Sequence, residues 1–139
     1  MEKNQYIPIM LQSLKKKNQI LDVIMELNKR QREELENPAL DPDDFDKTVQ
    51  EKAVQIEALE ALDAGFQEVY GKVRDELKDN KDSYRDEIAQ MKDYIRRLTE
   101  KSAAIQVDEA RNKSLMEQKF TSVRKQVKEV RKSQKVVNQ

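Results

Sequence analysis

The chain has no cysteine, no histidine and no tryptophan in 139 residues, and only two glycines and three prolines. Each absence removes a class of chemistry. Without Cys there is no disulfide and no thiol nucleophile, and without His the commonest general base and the usual zinc ligands are missing too. Two glycines cannot build a phosphate-cradling loop. Aromatics make up 5% of the chain and hydrophobic residues 37%, which is thin for a globular core but sufficient for a narrow seam between helices. No apolar run reaches the ~18 residues a membrane helix needs. The N-terminal Tyr6–Leu11 stretch is short, interrupted by Pro8 and preceded by Glu2, so it does not read as a signal peptide. A Cys-free chain is compatible with a reducing cytoplasm, which is the expected location. The chain is therefore expected to be no enzyme and to need no cofactor and no metal. The acidic run from Asp41 to Glu51 does not alter this. Read as a calcium loop it puts Phe45 at the fifth position, Asp46 at the glycine position and Lys52 at the twelfth, where a bidentate Glu is required.

What the chain does have is charge and rhythm. Charged residues make up 39% of it, with 27 basic and 27 acidic side chains. The last proline is Pro42 and the last glycine Gly71, so nothing from Lys72 to Gln139 forces the backbone to turn. Through that stretch Leu77, Tyr84, Ile88, Met91, Ile95, Leu98, Ile105, Met116, Phe120, Val123, Val127 and Val130 recur at helical spacing, marking one face of an amphipathic helix.

Two places punctuate the sequence. Pro38 disfavours a helical Asn37 and ends a first helix. Asp41 then reads as an N-cap with Pro42 at the first helical position and Asp43, Asp44 and Asp46 at the positive end of the helix dipole. Further on, Lys78–Ser83 passes six residues without an apolar side chain, and Ser83 with Asp86 can form a capping box. The alternative at this second point is one continuous helix from Asp41 to the C-terminus.

The reading that follows is all-α: an elongated antiparallel three-helix bundle or coiled coil, a single domain over 1–139, with helices at about 4–36, 42–79 and 82–136. The first seam carries Ile7, Met10, Leu14, Leu21, Ile24 and Leu35, widened by Leu11, Ile20 and Leu27. The second carries Phe45, Val49, Ile56, Leu59, Phe66, Tyr70, Val73 and Leu77, flanked by Leu62 and Val69. Lys17, Asn28, Lys52 and Asp63 interrupt the seams, either fixing register or snorkelling to the rim. Gly65 and Gly71 mark close helix approach or are tolerated passengers. At 1.5 Å per residue the third helix, ~80 Å long, outruns its partners. From about Met116 it projects past the end that carries Pro38–Pro42.

That projecting segment is also where the charge collects. From Arg111 to Gln139 there are nine basic residues and two acidic, a net of +7, so the rest of the chain carries −7. A basic helix could grip phosphates, or its basic residues could frame an apolar stripe that binds an acidic partner helix. The valines favour the second reading, because phosphate contacts need none. The candidate partner-binding residues are Met116, Phe120, Val123, Arg124, Val127, Lys128, Val130 and Arg131, within a candidate segment 112–139. The remaining alternative is that this segment only self-associates, as in a homodimer.

The stretches Gln55–Phe66 (QIEALEALDAGF) and Ile88–Leu98 (IAQMKDYIRRL), followed by the Lys/Arg-rich helix, resemble the flagellar type III export chaperones of the FlgN and FliT kind. The resemblance implies a chaperone that binds the helical C-terminal segment of a late export substrate, such as a hook–filament junction or filament-cap protein. It implies that the substrate is kept soluble and delivered for secretion. Met116, Phe120, Val123, Val127 and Val130 match the family's substrate-binding C-terminal helix. A component of the export gate is a further implied partner, which family members reach through an additional C-terminal tail.

Overall fold

The computed structural model describes residues 5–137. Three helices run in chain order: α1, Tyr6–Glu36; α2, Pro42–Asp79; and α3, Arg85–Val137. Among the described residues there is no strand, so the fold is all-α, a long helical bundle with a projecting third helix.

The first corner forms as the sequence dictates. Asn37 is extended (φ −82°, ψ 120°) ahead of Pro38, and its Oδ1 accepts from the Ala39 N–H at 2.9 Å. Asp41 caps α2 by accepting from the Asp43 N–H at 2.9 Å, with Pro42 in the first turn. At the second corner Asn80 ends α2, its side-chain amide and its backbone N–H both donating to the Glu76 carbonyl. Ser83 and Tyr84 in turn donate their N–H groups to the Asn80 carbonyl. The chain therefore breaks here rather than continuing as one helix. α3 starts at Arg85, beyond the expected 82, because this hydrogen-bonded turn takes up residues 80–84. The buried Tyr84 ties the corner together, its hydroxyl 2.6 Å from Glu76 Oε1.

α1 is the centre. It packs against α2 on one side and α3 on another, whereas no Cα of α2 lies within 8 Å of a Cα of α3. The bundle is thus open along one side. Ile7, Met10, Leu14, Leu21 and Ile24 of α1 meet Val73 and Leu77 of α2 and Tyr84, Met91 and Leu98 of α3 in one core.

The polar residues of the seams set the register. Lys17 Nζ forms an ion pair with Asp63. Lys52 Nζ donates to Asn28 Oδ1 at 3.0 Å and to Gln31 Oε1 at 3.4 Å, and pairs with Glu109. In an antiparallel helix pair, matched positions share a constant sum of residue numbers. Lys17 with Asp63 and Asn28 with Lys52 have the same sum, so a single register satisfies both. The α1–α3 contacts instead share a nearly constant offset, as parallel helices do. Asn18 Nδ2 donates to the Tyr94 carbonyl, Lys101 pairs with Asp22, Asn112 Nδ2 donates to the Asn28 carbonyl and Lys119 Nζ to the Asn37 carbonyl. These lysines and asparagines are cross-helix pins rather than snorkelling rim residues.

The expected face of α2 needs correction at three positions. Val49, Ile56 and Tyr70 were read as seam residues, but they are 44%, 39% and 43% exposed. The helix turns Leu59, Leu62, Phe66, Val69, Val73 and Leu77 inward as read, with Lys52 among them, and adds Thr48. Thr48 is fully buried, its hydroxyl satisfied by the Phe45 carbonyl at 2.6 Å. The physical reason is that α3 does not close over α2, so only the stripe facing α1 is covered. The two glycines are not close-approach sites either, since a Cβ at Gly65 or Gly71 would meet nothing within 4 Å.

Candidate functional surface

α1 ends at Glu36 and α2 begins at Pro42, but α3 continues to Val137. The last tie between α3 and the other helices near this end is Lys119 Nζ, 2.7 Å from the Asn37 carbonyl oxygen. Beyond it lie 18 residues, ~27 Å of unsupported helix. Every side chain described from Phe120 to Lys132 is exposed.

The predicted site residues fall into two groups. Met116 is half-buried and lines the open side of the bundle with Phe45, Val49 and Ile56. Phe120 (57% exposed), Val127 (44%) and Val130 (57%) lie uncovered on the projecting helix. Their spacing of seven and three puts them on one stripe. Arg124, Lys128 and Arg131 are exposed on the same segment, and the spacing sets them along one margin of that stripe. Val123 falls within the helix, but its side chain lies outside the described residues.

A basic amphipathic helix of this kind meets an acidic helical partner with two complementary features. The stripe removes apolar area from water, and the arginines and lysine steer and orient the encounter.

The sequence reading missed a second surface. The open side between α2 and α3 is a groove floored by α1. At the end near the α1–α2 turn it widens to an open concavity of about 630 Å³ between Leu35, Phe45, Val49, Ile56 and Met116. Further down, Leu14, Phe66, Ile95 and Leu98 line its continuation. The Lys52–Glu109 ion pair joins its two walls. The charged side chains that line it are Lys17, Lys52 and Lys113 with Glu109, whereas the eight carboxylates of α2 from Asp43 to Glu68 are exposed outside that lining. Near the α1–α2 turn, burial pushes the Glu34 carboxyl above its ordinary range, Arg30 opposes the rise and Asp44 adds to it. On the outer face of α3 the reverse holds for Asp93, held below its ordinary range by the hydrogen bond from Arg96 with help from Arg97.

Fold and surface together define an open helical bundle that displays apolar helix faces instead of enclosing a pocket. Within that class the chain belongs to the FlgN protein family, whose model matches residues 1–139. This is a family of flagellar export chaperones, proteins that bind export substrates. No curated protein and no solved structure matches the chain. Among the described residues no helix is long and apolar enough to cross a membrane.

Proposed function

We propose that this protein is a cytoplasmic export chaperone that binds the helical C-terminal segment of a late flagellar substrate, a hook–filament junction or filament-cap protein, along the projecting end of α3. Binding is its role and it catalyses no reaction. The observation that carries the reading is the uncovered stripe of Phe120, Val127 and Val130, framed by Arg124, Lys128 and Arg131 on a helix that outruns its bundle. Met116 continues the stripe toward the bundle, and Val123 falls on it by spacing. The substrate helix is amphipathic, with acidic residues beside its apolar face. Held this way it stays soluble and unassembled until it reaches the export gate.

The test is the pair Phe120→Asp with Val127→Asp. A charge placed in a helix-in-groove contact costs several kcal/mol of desolvation. Binding of a synthetic C-terminal helix from a hook–filament junction protein, followed calorimetrically, is expected to be abolished. The melting temperature of the bundle is expected to stay nearly unchanged, because the segment contributes little to the core. If the pair unfolds the protein, the stripe is structural and the reading fails. If Arg124, Lys128 and Arg131 to Ala matter most and binding falls steeply with salt, the partner is a nucleic acid instead.

A further inference from the structure

The groove between α2 and α3 and the stripe at the end of α3 are one surface. α3 runs unbroken from Arg85 to Val137, so spacing carries a face along it. Gln106 and Lys113 line the groove, and the same step of seven leads to the exposed Phe120 and Val127. Met116 lines it too, and two such steps lead to Val130. A seven-residue step drifts ~20° per repeat on a straight helix, so a partner following this face winds gently left-handed, as coiled-coil helices do. The charge carries over as well. The groove is lined by Lys17, Lys52 and Lys113 against Glu109. Lys17 pairs with Asp63 and Lys52 with Glu109, and among the described residues Lys113 has no ion pair. By spacing, Lys113 shares a margin of α3 with Arg124 and Arg131.

The stripe by itself is small. A helix ~10 Å across, half covered over the ~27 Å beyond Lys119, buries about 400 Å² on each partner. That total of about 800 Å² is the size of a crystal-packing contact, below the ~1,000 Å² of a specific interface. Carried back along the same face to Ile95 in the groove, the contact runs ~52 Å to Val130 and buries about 1,600 Å², the standard size. We propose that the partner helix does not stop at the bundle but continues into the α2–α3 groove and lies there as a fourth helix. The proposal rests on the export-substrate reading and adds the length and polarity of the partner: a continuous amphipathic helix of about 35 residues. Seated on α1 between α2 and α3, it completes a four-helix bundle. Its apolar face covers Val49 and Ile56, which are 44% and 39% exposed in the free protein. Its acidic edge lies toward Lys113, Arg124 and Arg131. The edge toward α2 is neutral or basic, because that helix bears eight exposed carboxylates from Asp43 to Glu68. The Lys52 side chain is 15% exposed, so its pair with Glu109 forms part of the floor beneath the incoming helix.

The test uses two synthetic peptides from the C-terminal helix of a hook–filament junction protein. One of about 18 residues matches the projecting end, and one of about 36 contains it and matches the whole face. Both are titrated calorimetrically into the full-length protein. The longer is expected to bind at least about tenfold more tightly, about 1.4 kcal/mol. Val49→Asp with Ile56→Asp should remove that gain and leave the shorter peptide's affinity unchanged. Both side chains already meet water, so helicity and melting temperature should hold, which circular dichroism checks. Lys113→Glu should weaken the longer peptide and spare the shorter. A longer peptide that binds no better than the shorter overturns the proposal, as does one indifferent to Asp at positions 49 and 56. A parent that sediments as a dimer, returned to monomer by the same pair, overturns it too, because a second copy then fills the groove. The two readings fail separately. Loss of the longer peptide's gain leaves the stripe as the site. A longer peptide that survives Phe120→Asp with Val127→Asp but not Val49→Asp with Ile56→Asp keeps the groove and removes the stripe. Failure of both peptides to bind the parent refutes both readings.

Discussion

Lys52 is the place where all three helices are held by one side chain, and replacing it with methionine tests how much that pin contributes. The ammonium donates to Asn28 Oδ1 and Gln31 Oε1 of α1 and pairs with Glu109 of α3. Asn28 is 1% exposed and its Nδ2 already lacks a protein partner, so losing Lys52 leaves the whole side-chain amide buried without one. A hydrogen bond to a charged group is worth about 1.5–3 kcal/mol, and an orphaned buried acceptor costs a similar amount. Glu109 is 42% exposed and can turn to water, so it adds little. Methionine retains most of the aliphatic stem, so packing loss is minor. The expected destabilisation is about 2 kcal/mol, a fall in melting temperature on the order of 8 °C for a domain of this size. Urea melts followed by circular dichroism would measure it. Adding Asn28→Leu should recover most of the loss, because replacing both partners by apolar groups removes the unpaired buried polar atoms. If Lys52→Met changes stability by less than about 0.5 kcal/mol, the pin is a surface decoration and the register argument is wrong. A double variant less stable than either single one would also refute it, by showing that packing and not pairing sets the cost.

Leu14→Ala should cost about 2–5 kcal/mol as a fully buried core truncation, whereas Ile56→Ala should cost under about 1 kcal/mol because its side chain is partly in water, and paired urea melts separate them. Gly65→Ala and Gly71→Ala should each stabilise the protein by up to about 1 kcal/mol, since the added methyl enters open space on a helix, and thermal melts would show additive gains. Glu34 has a raised carboxyl pKa in the folded protein, so its protonated form is favoured there. The folded state is relatively best off below the ordinary carboxylate range and loses that advantage as pH rises through the shifted value. Glu34→Gln should therefore raise the melting temperature at pH 7 and have no such effect at pH 3.

The elements were legible in the sequence for specific reasons. Pro38, Asp41 and Pro42 act through local sterics and capping, so the first corner depends on nothing remote. The α1 seam was legible because α1 is covered on two sides, and the residues read as its seam, from Ile7 to Leu35, are buried, while Ile9 and Val23 lie outside it in water. α2 was harder. Its contact stripe includes Thr48 and Lys52, while Val49, Ile56 and Tyr70 stand at its edge in water, so apolar periodicity found Leu59, Phe66, Val73 and Leu77 but drew the stripe too wide toward the open side. Nothing local reveals that α2 and α3 stay apart, because that depends on how both sit on α1. The projecting end followed from length alone, since a 53-residue helix cannot be matched by partners of 31 and 38 residues. The groove required knowing which side of the bundle is open.

The continuity of α3 has a consequence for how its end behaves. An isolated peptide of 18 residues is a marginal helix in water, because the first turn fixes several residues for a single hydrogen bond. Here the first turn already exists, formed by the part of α3 packed on α1 and held at Lys119. The end needs only propagation, and each residue adds one bond to a growing template. Such a helix melts from its tip inward, so Phe120 is presented in helical form more of the time than Val130. Any partner, foreign or identical, would first engage near Phe120 and then consolidate the helix toward its tip as contacts accumulate. Hydrogen exchange should show this as protection that declines steadily from Lys119 to Arg131 in the free protein and levels out when the stripe is covered.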